Sequence, residues 1–276
     1  MINSRRIASN GRVAALQLRG KVEADRYVPG KPAHVCKTLA DLCRRPDGGR
    51  ERQLLFGDRV LIYEKCAGMS FVQSEKDDYV GYIANCALCE TPISFTHIVL
   101  APICHLYQEP DIKAPEVMTL TMGAKLVGST AKNGFIQTHE GWIKTNTIRK
   151  QEAGFTDPVS VAERLLNAPY LWGGNSAMGI DCSGLIQLAC HLCGLNCPAD
   201  SDMQAAELGY SLREHAPLQR GDLIFWEGHV AWVTAPEVIL HANAFHMATV
   251  KEDLNSVIAR IEMQGDGKPL CYKRLR

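Results

Sequence analysis

Apolar residues at Leu185, Ile186, Leu188, Ala189 and Leu192 recur at the spacing of one buried helical face, so a helix is predicted there. Asp181 or Ser183 can cap its start, and Gly194 is placed to end it. Downstream the pattern changes. Residues 218–233 and 238–244 are rich in Val, Ile and aromatics and punctuated by glycine, and both read as β-strand. Upstream, Asp157 followed by Pro158 opens a further helix over Val159 to Asn167, with Asp as N-cap and Pro at the first helical position.

The N-terminal half carries no comparable helical period. Strand-like runs fall at 59–63, 69–73 and 79–83, separated by Gly, Asp and Lys turns, and residues 33–43 form a less regular stretch. From about 101 to 148 the same plan returns. Leu54-Leu-Phe-Gly-Asp-Arg-Val-Leu compares with Leu120-Thr-Met-Gly-Ala-Lys-Leu-Val, and Gly81-Tyr82-Ile83 with Gly141-Trp142-Ile143. This is a weak internal repeat at roughly 60 residues. The expected organisation is a segment 1–24, one small β-domain over 25–100, a second over 101–150, and a mixed domain over 151–276. The linker begins at Gln151.

A chain of 276 residues permits two or three domains. Thirty basic residues balance thirty acidic ones, which gives no electrostatic case for nucleic acid or an anionic membrane as partner. No apolar run approaches the roughly 18 residues of a transmembrane helix, and the basic N-terminus lacks the apolar core of a signal peptide. Eleven cysteines, odd in number and irregularly spaced, suit reduced thiols in a cytoplasm better than a disulfide framework. Cys86-Ala-Leu-Cys89 and Cys190-His-Leu-Cys193 with Cys197 have knuckle-like spacing but no second matching pair. Buried thiols are the preferred reading, with no metal and no cofactor expected.

Of the eleven, Cys182 is placed for chemistry. It follows the double-glycine loop of Tyr170-Leu-Trp-Gly-Gly and sits at a helix N-terminus, where unpaired N–H groups favour thiolate over thiol. His229 and His241, on the two strand-like runs, complete an arrangement of nucleophile, base and orienting group. The Cys182 backbone N–H is a candidate oxyanion donor, and Tyr170 is a second. Asp222 is expected to shape the turn before its strand. Trp172 and Trp226 either wall a groove or fill core.

The motifs Y-x-W-G-G … D-C-S-G, R-G-D-L-x-F-W … G-H-V-A and I-L-H-A, from about Pro158 onward, resemble those of the NlpC/P60 cysteine peptidases, which hydrolyse cell-wall peptides. The resemblance implies an α+β, papain-like catalytic domain preceded by two small all-β bacterial SH3 (SH3b) barrels. Carried over by position, Cys182 is nucleophile, His229 base and acid, and His241 the third residue. The branch with SH3b domains cuts murein peptides with a free N-terminal L-Ala, between γ-D-Glu and the diamino acid. By that likeness Asp181, Ser183, Glu51 and Tyr82 surround the free amine, and Ser201, in Cys197-Pro-Ala-Asp-Ser-Asp-Met-Gln, contacts the D-Glu carboxylate. The expected partner is therefore such a murein peptide. Ala199 departs from the family, which usually has Arg there, so a positive charge is missing from the loop. An amidase or acyltransferase on the same thiol fold, or a non-enzymatic wall-binding protein, is the alternative.

Overall fold

Leu54-Leu-Phe-Gly and Leu120-Thr-Met-Gly, matched in sequence, are matched in backbone. Gly57 and Gly123 both adopt left-handed φ, +81° and +91°. The Gly57 N–H donates to Val35 O and that of Gly123 to Val99 O, while Phe56 N pairs with Thr38 O and Met122 N with Pro102 O. At Gly57 a Cβ would stand 2.7 Å from Lys125 O, so no side chain fits. The computed structural model describes residues 4–151, 154–213 and 216–275. It has two compact units, Met1–Ala153 and Gly154–Arg276. Linker positions 152 and 153 lie outside the described residues.

The first unit is all-β. Seven antiparallel strands run in the order Arg50–Leu55, Leu39–Cys43, Val80–Ala84, Met69–Ser74, Arg59–Cys66, Lys31–Val35, Leu88–Cys89. The stretch 33–43, irregular in sequence, thus supplies two strands. The repeat builds a five-stranded sheet (Glu116–Thr121, Ile103–Tyr107, Trp142–Lys144, Phe135–Gln137, Ala131–Lys132) and a three-stranded one around His97–Val99. These are small open sheets. One core gathers Val13, Tyr63, Phe71 and Tyr82; another gathers Phe56, Val99, Leu106, Leu120, Leu126 and Ile143. Phe56 belongs to the second core although its sequence belongs to the first repeat.

The second unit is α+β. Helix α1 (Pro158–Glu163) starts as expected, with Asp157 accepting from Val159 N, but ends at Glu163 rather than Asn167. Asn167 is in left-handed φ, +68°, which an α-helix cannot continue through. Helix α2 (Cys182–Leu192) is followed by α3 (Ser201–Glu207) and α4 (Leu254–Gln264). A six-stranded antiparallel sheet runs Tyr210–Ser211, Cys271–Arg274, Asp222–Trp226, His229–Ala235, Val238–Asn243, Ala248–Asp253. Its Ile224, Ala231, Val233 and Ile239 pack on Leu254, Val257 and Ile261 of α4. Helix α2 packs against the strands 229–235 and 238–243. Asp222 has the structural role expected: its buried carboxylate accepts from Gln219 N and holds Arg274 at 2.7 and 2.8 Å. Among the described residues no helix is long and apolar enough to cross a membrane.

Candidate active site

Asp181, not Ser183, caps α2. Its Oδ1 accepts from Gly184 N at 2.6 Å and from the Ser183 hydroxyl at 3.0 Å, and its Oδ2 accepts from Gly173 N at 2.9 Å. One buried carboxylate therefore fixes both the helix start and the glycine loop before it. The next residue is Cys182, so the thiol stands at the N-terminus of a three-turn helix, where the helix dipole favours negative charge. Its Sγ lies 3.9 Å from Gly228 O, in the turn that leads into the strand of His229. Replacing Asp181 with alanine is expected to destabilise the apoprotein by about 1–2 kcal/mol through loss of the cap. Thermal melting without substrate checks it, and an unchanged Tm would leave Asp181 with no structural role.

A cavity of about 410 Å³ opens at this point, walled by Tyr170, Cys182, Trp226, His229, His241 and Phe245, among others. His229 Nε2 and His241 Nδ1 are 2.8 Å apart. Burial lowers His229 to about 3, helped by His241 and Arg260, with Glu252 acting the other way. His241 is lowered too, again chiefly by burial. Both rings are thus neutral at neutral pH, and a neutral His229 can accept a proton. Burial, then the neighbouring Cys182 and Asp181, push the Tyr170 phenol up to about 12, so it keeps its O–H as a donor. Trp226 is buried at the cavity wall with its ring 5.7 Å from that of His229, whereas Trp172 is largely exposed.

The structure gathers Tyr170, Cys182, His229 and His241 around one cavity. Asp181 and Ser183 are buried beside it and turned toward each other, and Ser201 begins α3. Within the first unit, Glu51 and Tyr82 line another cavity, of about 800 Å³. The Tyr82 hydroxyl accepts from Asn10 Nδ2 at 3.0 Å while its ring packs 5.3 Å from that of Phe71.

Ala199 is fully buried, and backbone carbonyls beside it accept hydrogen bonds from neighbouring side chains. Gln204 Nε2 lies 2.9 Å from Ser183 O and 3.0 Å from Pro198 O, and the Cys197 carbonyl accepts from His191 Nε2 at 3.1 Å. Sequence reasoning passed over Gln204, Asn243, Glu252 and Arg260. Only the place of Gln204 in the quoted loop motif could have pointed to it; Glu252 and Arg260 have no local signature. Among the described residues no cluster of His, Cys, Asp or Glu is placed to hold a metal ion.

Residues 167–260 match the NlpC/P60 family, and residues 42–88 match the bacterial dipeptidyl-peptidase Sh3 domain. Dipeptidyl-peptidase 6 of Lysinibacillus sphaericus is 27% identical over 241 residues, covering 76% of this chain and 87% of that protein. Gamma-D-glutamyl-L-lysine dipeptidyl-peptidase of Bacillus subtilis is 29% identical over 194 residues, 64% of each chain. An NlpC/P60 family protein of Bacillus cereus has the same fold, with a TM-score of 0.75 at 20% identity over 88% of this chain and 99% of that one.

Proposed function

We propose that this chain, a cysteine peptidase with an NlpC/P60 domain behind a bacterial SH3 domain, cuts murein peptides between γ-D-Glu and the diamino acid. The observation that carries the reading is the shared cavity of Cys182 and the hydrogen-bonded pair His229–His241. The activity for which the Bacillus subtilis relative is named suggests the bond type.

In this mechanism His229 takes the Cys182 proton, and the thiolate attacks the γ-carbonyl carbon of D-Glu. The Cys182 N–H and the Tyr170 hydroxyl hold the charge that develops on oxygen. Collapse breaks the amide bond. The leaving amine takes the proton from His229 and departs with the diamino acid, leaving a thioester. Water, deprotonated by His229, then attacks the thioester carbonyl; the thiolate leaves and is reprotonated. His241 keeps the His229 ring in place throughout.

The second β-module, over 101–150, is read as another SH3b domain because it repeats the local plan of the first. Within the catalytic unit Asp181 and Ser183 are assigned to the free L-Ala amine, and Ser201 to the D-Glu carboxylate. The irregular cysteine pattern supports a cytoplasmic place in recycling wall peptides. Hydrolysis of L-Ala-γ-D-Glu-meso-diaminopimelate, measured beside its N-acetylated form, tests the reading. Burial of an ammonium against a carboxylate is lost on acetylation, so a drop of about 100-fold in kcat/KM is expected for the blocked peptide. Equal cleavage would remove the amine roles, and no cleavage of either would favour amidase or acyltransferase chemistry.

A further inference from the structure

Glu252 ends a chain of hydrogen bonds that begins at His229. It lies on the strand Ala248–Asp253, opposite Ile239, while His241 lies opposite Val250. Residues two apart on a strand share a face, so Ile239 and His241 point the same way and Glu252, beside them, does too. Its Oε2 is 2.8 Å from His241 Nε2, and its Oε1 is 3.1 Å from His246 Nε2. Arg260 of α4 grips both oxygens, Nη1 to Oε1 at 2.6 Å and Nη2 to Oε2 at 2.8 Å. Burial pushes this carboxyl upward, but the bonds from His241, Arg260 and His246 outweigh it and hold the group well below the usual carboxylate range.

An ionised carboxylate can only accept. The proton between Glu252 and His241 must therefore sit on His241 Nε2, which leaves Nδ1 of that neutral ring as an acceptor. His229 Nε2, 2.8 Å from this Nδ1, must then donate. A neutral His229 that carries its proton on Nε2 has its lone pair on Nδ1, the one ring nitrogen left for the thiol. Asn243 brings a competing donor, its Nδ2, to 3.0 Å from His241 Nε2, with its Oδ1 already engaged by His246 N. The charged acceptor wins, because hydrogen bonds to ionised groups are roughly twice as strong as neutral ones.

We infer that Glu252, gripped by Arg260, is a positioning residue that sets the tautomer of His241 and, through it, that of His229. This rests on the reading of Cys182, His229 and His241 as the catalytic groups. The other titratable groups around the pair are Tyr170 and Cys182 on one side, Glu227 in the turn before His229, His246 in the following loop, and Asp266 beyond α4. Of these only His246, with Arg260 and His241, bonds to the Glu252 carboxylate.

Two measurements on the full chain test the inference. Imidazole ¹⁵N NMR of the unaltered protein near neutral pH should show His241 and His229 both protonated on Nε2. It needs no substrate, so it stands if the peptidase reading fails, and a proton on His241 Nδ1 would overturn the inference alone. The second follows iodoacetamide alkylation of Cys182 against pH, read on the Cys182 peptide by mass spectrometry. In Glu252→Gln the thiolate, forming beside neutral rings, loses a nearby negative charge, so its midpoint should fall by roughly half a unit or more. In Arg260→Gln the carboxylate is left unbalanced and opposes the thiolate, and the midpoint should rise. Loosened packing would move both variants the same way, so shifts of one sign, or none, would refute the assignment. Should Glu252→Gln not fold, the wild-type spectrum and Arg260→Gln decide.

Discussion

Cys182→Ala is expected to lower kcat on the free murein peptide by on the order of 10⁴-fold or more while leaving the fold intact. Removing the nucleophile of a covalent mechanism costs the whole advantage of the thioester route, and what remains is only binding and oxyanion stabilisation. The fold should survive because the cap of α2 is the Asp181 carboxylate, not the thiol, whose Sγ lies 3.9 Å from Gly228 O. His229→Ala should fall by a similar factor. The double variant should be scarcely worse than either single one, since the two groups act in the same step. Cys190→Ala provides the contrast: that thiol is fully buried on the same helix, so the variant should lose stability through a small cavity and keep its kcat. Initial rates with circular dichroism on each variant make the check. A residual rate within tenfold in Cys182→Ala would remove Cys182 from the mechanism.

What the sequence revealed of this site follows the range over which each residue acts. Cys182, its Asp cap and the glycine loop are neighbours in the chain, and local helix and turn chemistry exposes them. His229 and His241 lie within two consecutive strand runs, so period and composition find them. Glu252 and Arg260 reach the site only because the strand Ala248–Asp253 joins the sheet edge and α4 packs across its face. Nothing in Lys251-Glu-Asp or Ala259-Arg260 announces that. The overlong reading of α1 has a local cause as well, since the apolar period continues past Glu163 through Leu165 while Asn167 turns left-handed. In the first unit the repeat was legible at Leu-x-x-Gly because the glycine is required by close backbone approach, whereas strands 31–35 and 39–43 hide in a sequence with Pro, His and Cys. The paired role of Asp58 was equally hidden, because its partners Lys76 and Lys125 are distant in the chain.

Asp58→Ala is the substitution expected to cost the most stability. The carboxylate is almost wholly buried. Its Oδ2 accepts from Leu55 N at 3.0 Å and from Lys76 Nζ at 2.8 Å, and its Oδ1 from Lys125 Nζ at 3.1 Å. Lys125 belongs to the second repeat, so this one side chain ties the two β-modules of the first unit. Removing it leaves two ammonium groups side by side without a counter-charge, and breaking a buried pair in this way costs about 3 kcal/mol or more. For a protein of this size that corresponds to a fall in Tm of roughly 6–12 °C. The pH dependence follows from the direction of the shift. Burial raises the Asp58 carboxyl, but Lys76 and Lys125 more than offset it and hold the group well below its ordinary value. A depressed carboxyl contributes stability above its unfolded value of about 4 and loses it as the pH falls toward the folded one. The gap in Tm between wild type and Asp58→Ala should therefore be full at pH 7 and narrow steadily below about pH 4. A gap of the same size at pH 7 and pH 3 would mean that Asp58 acts by packing, not by charge.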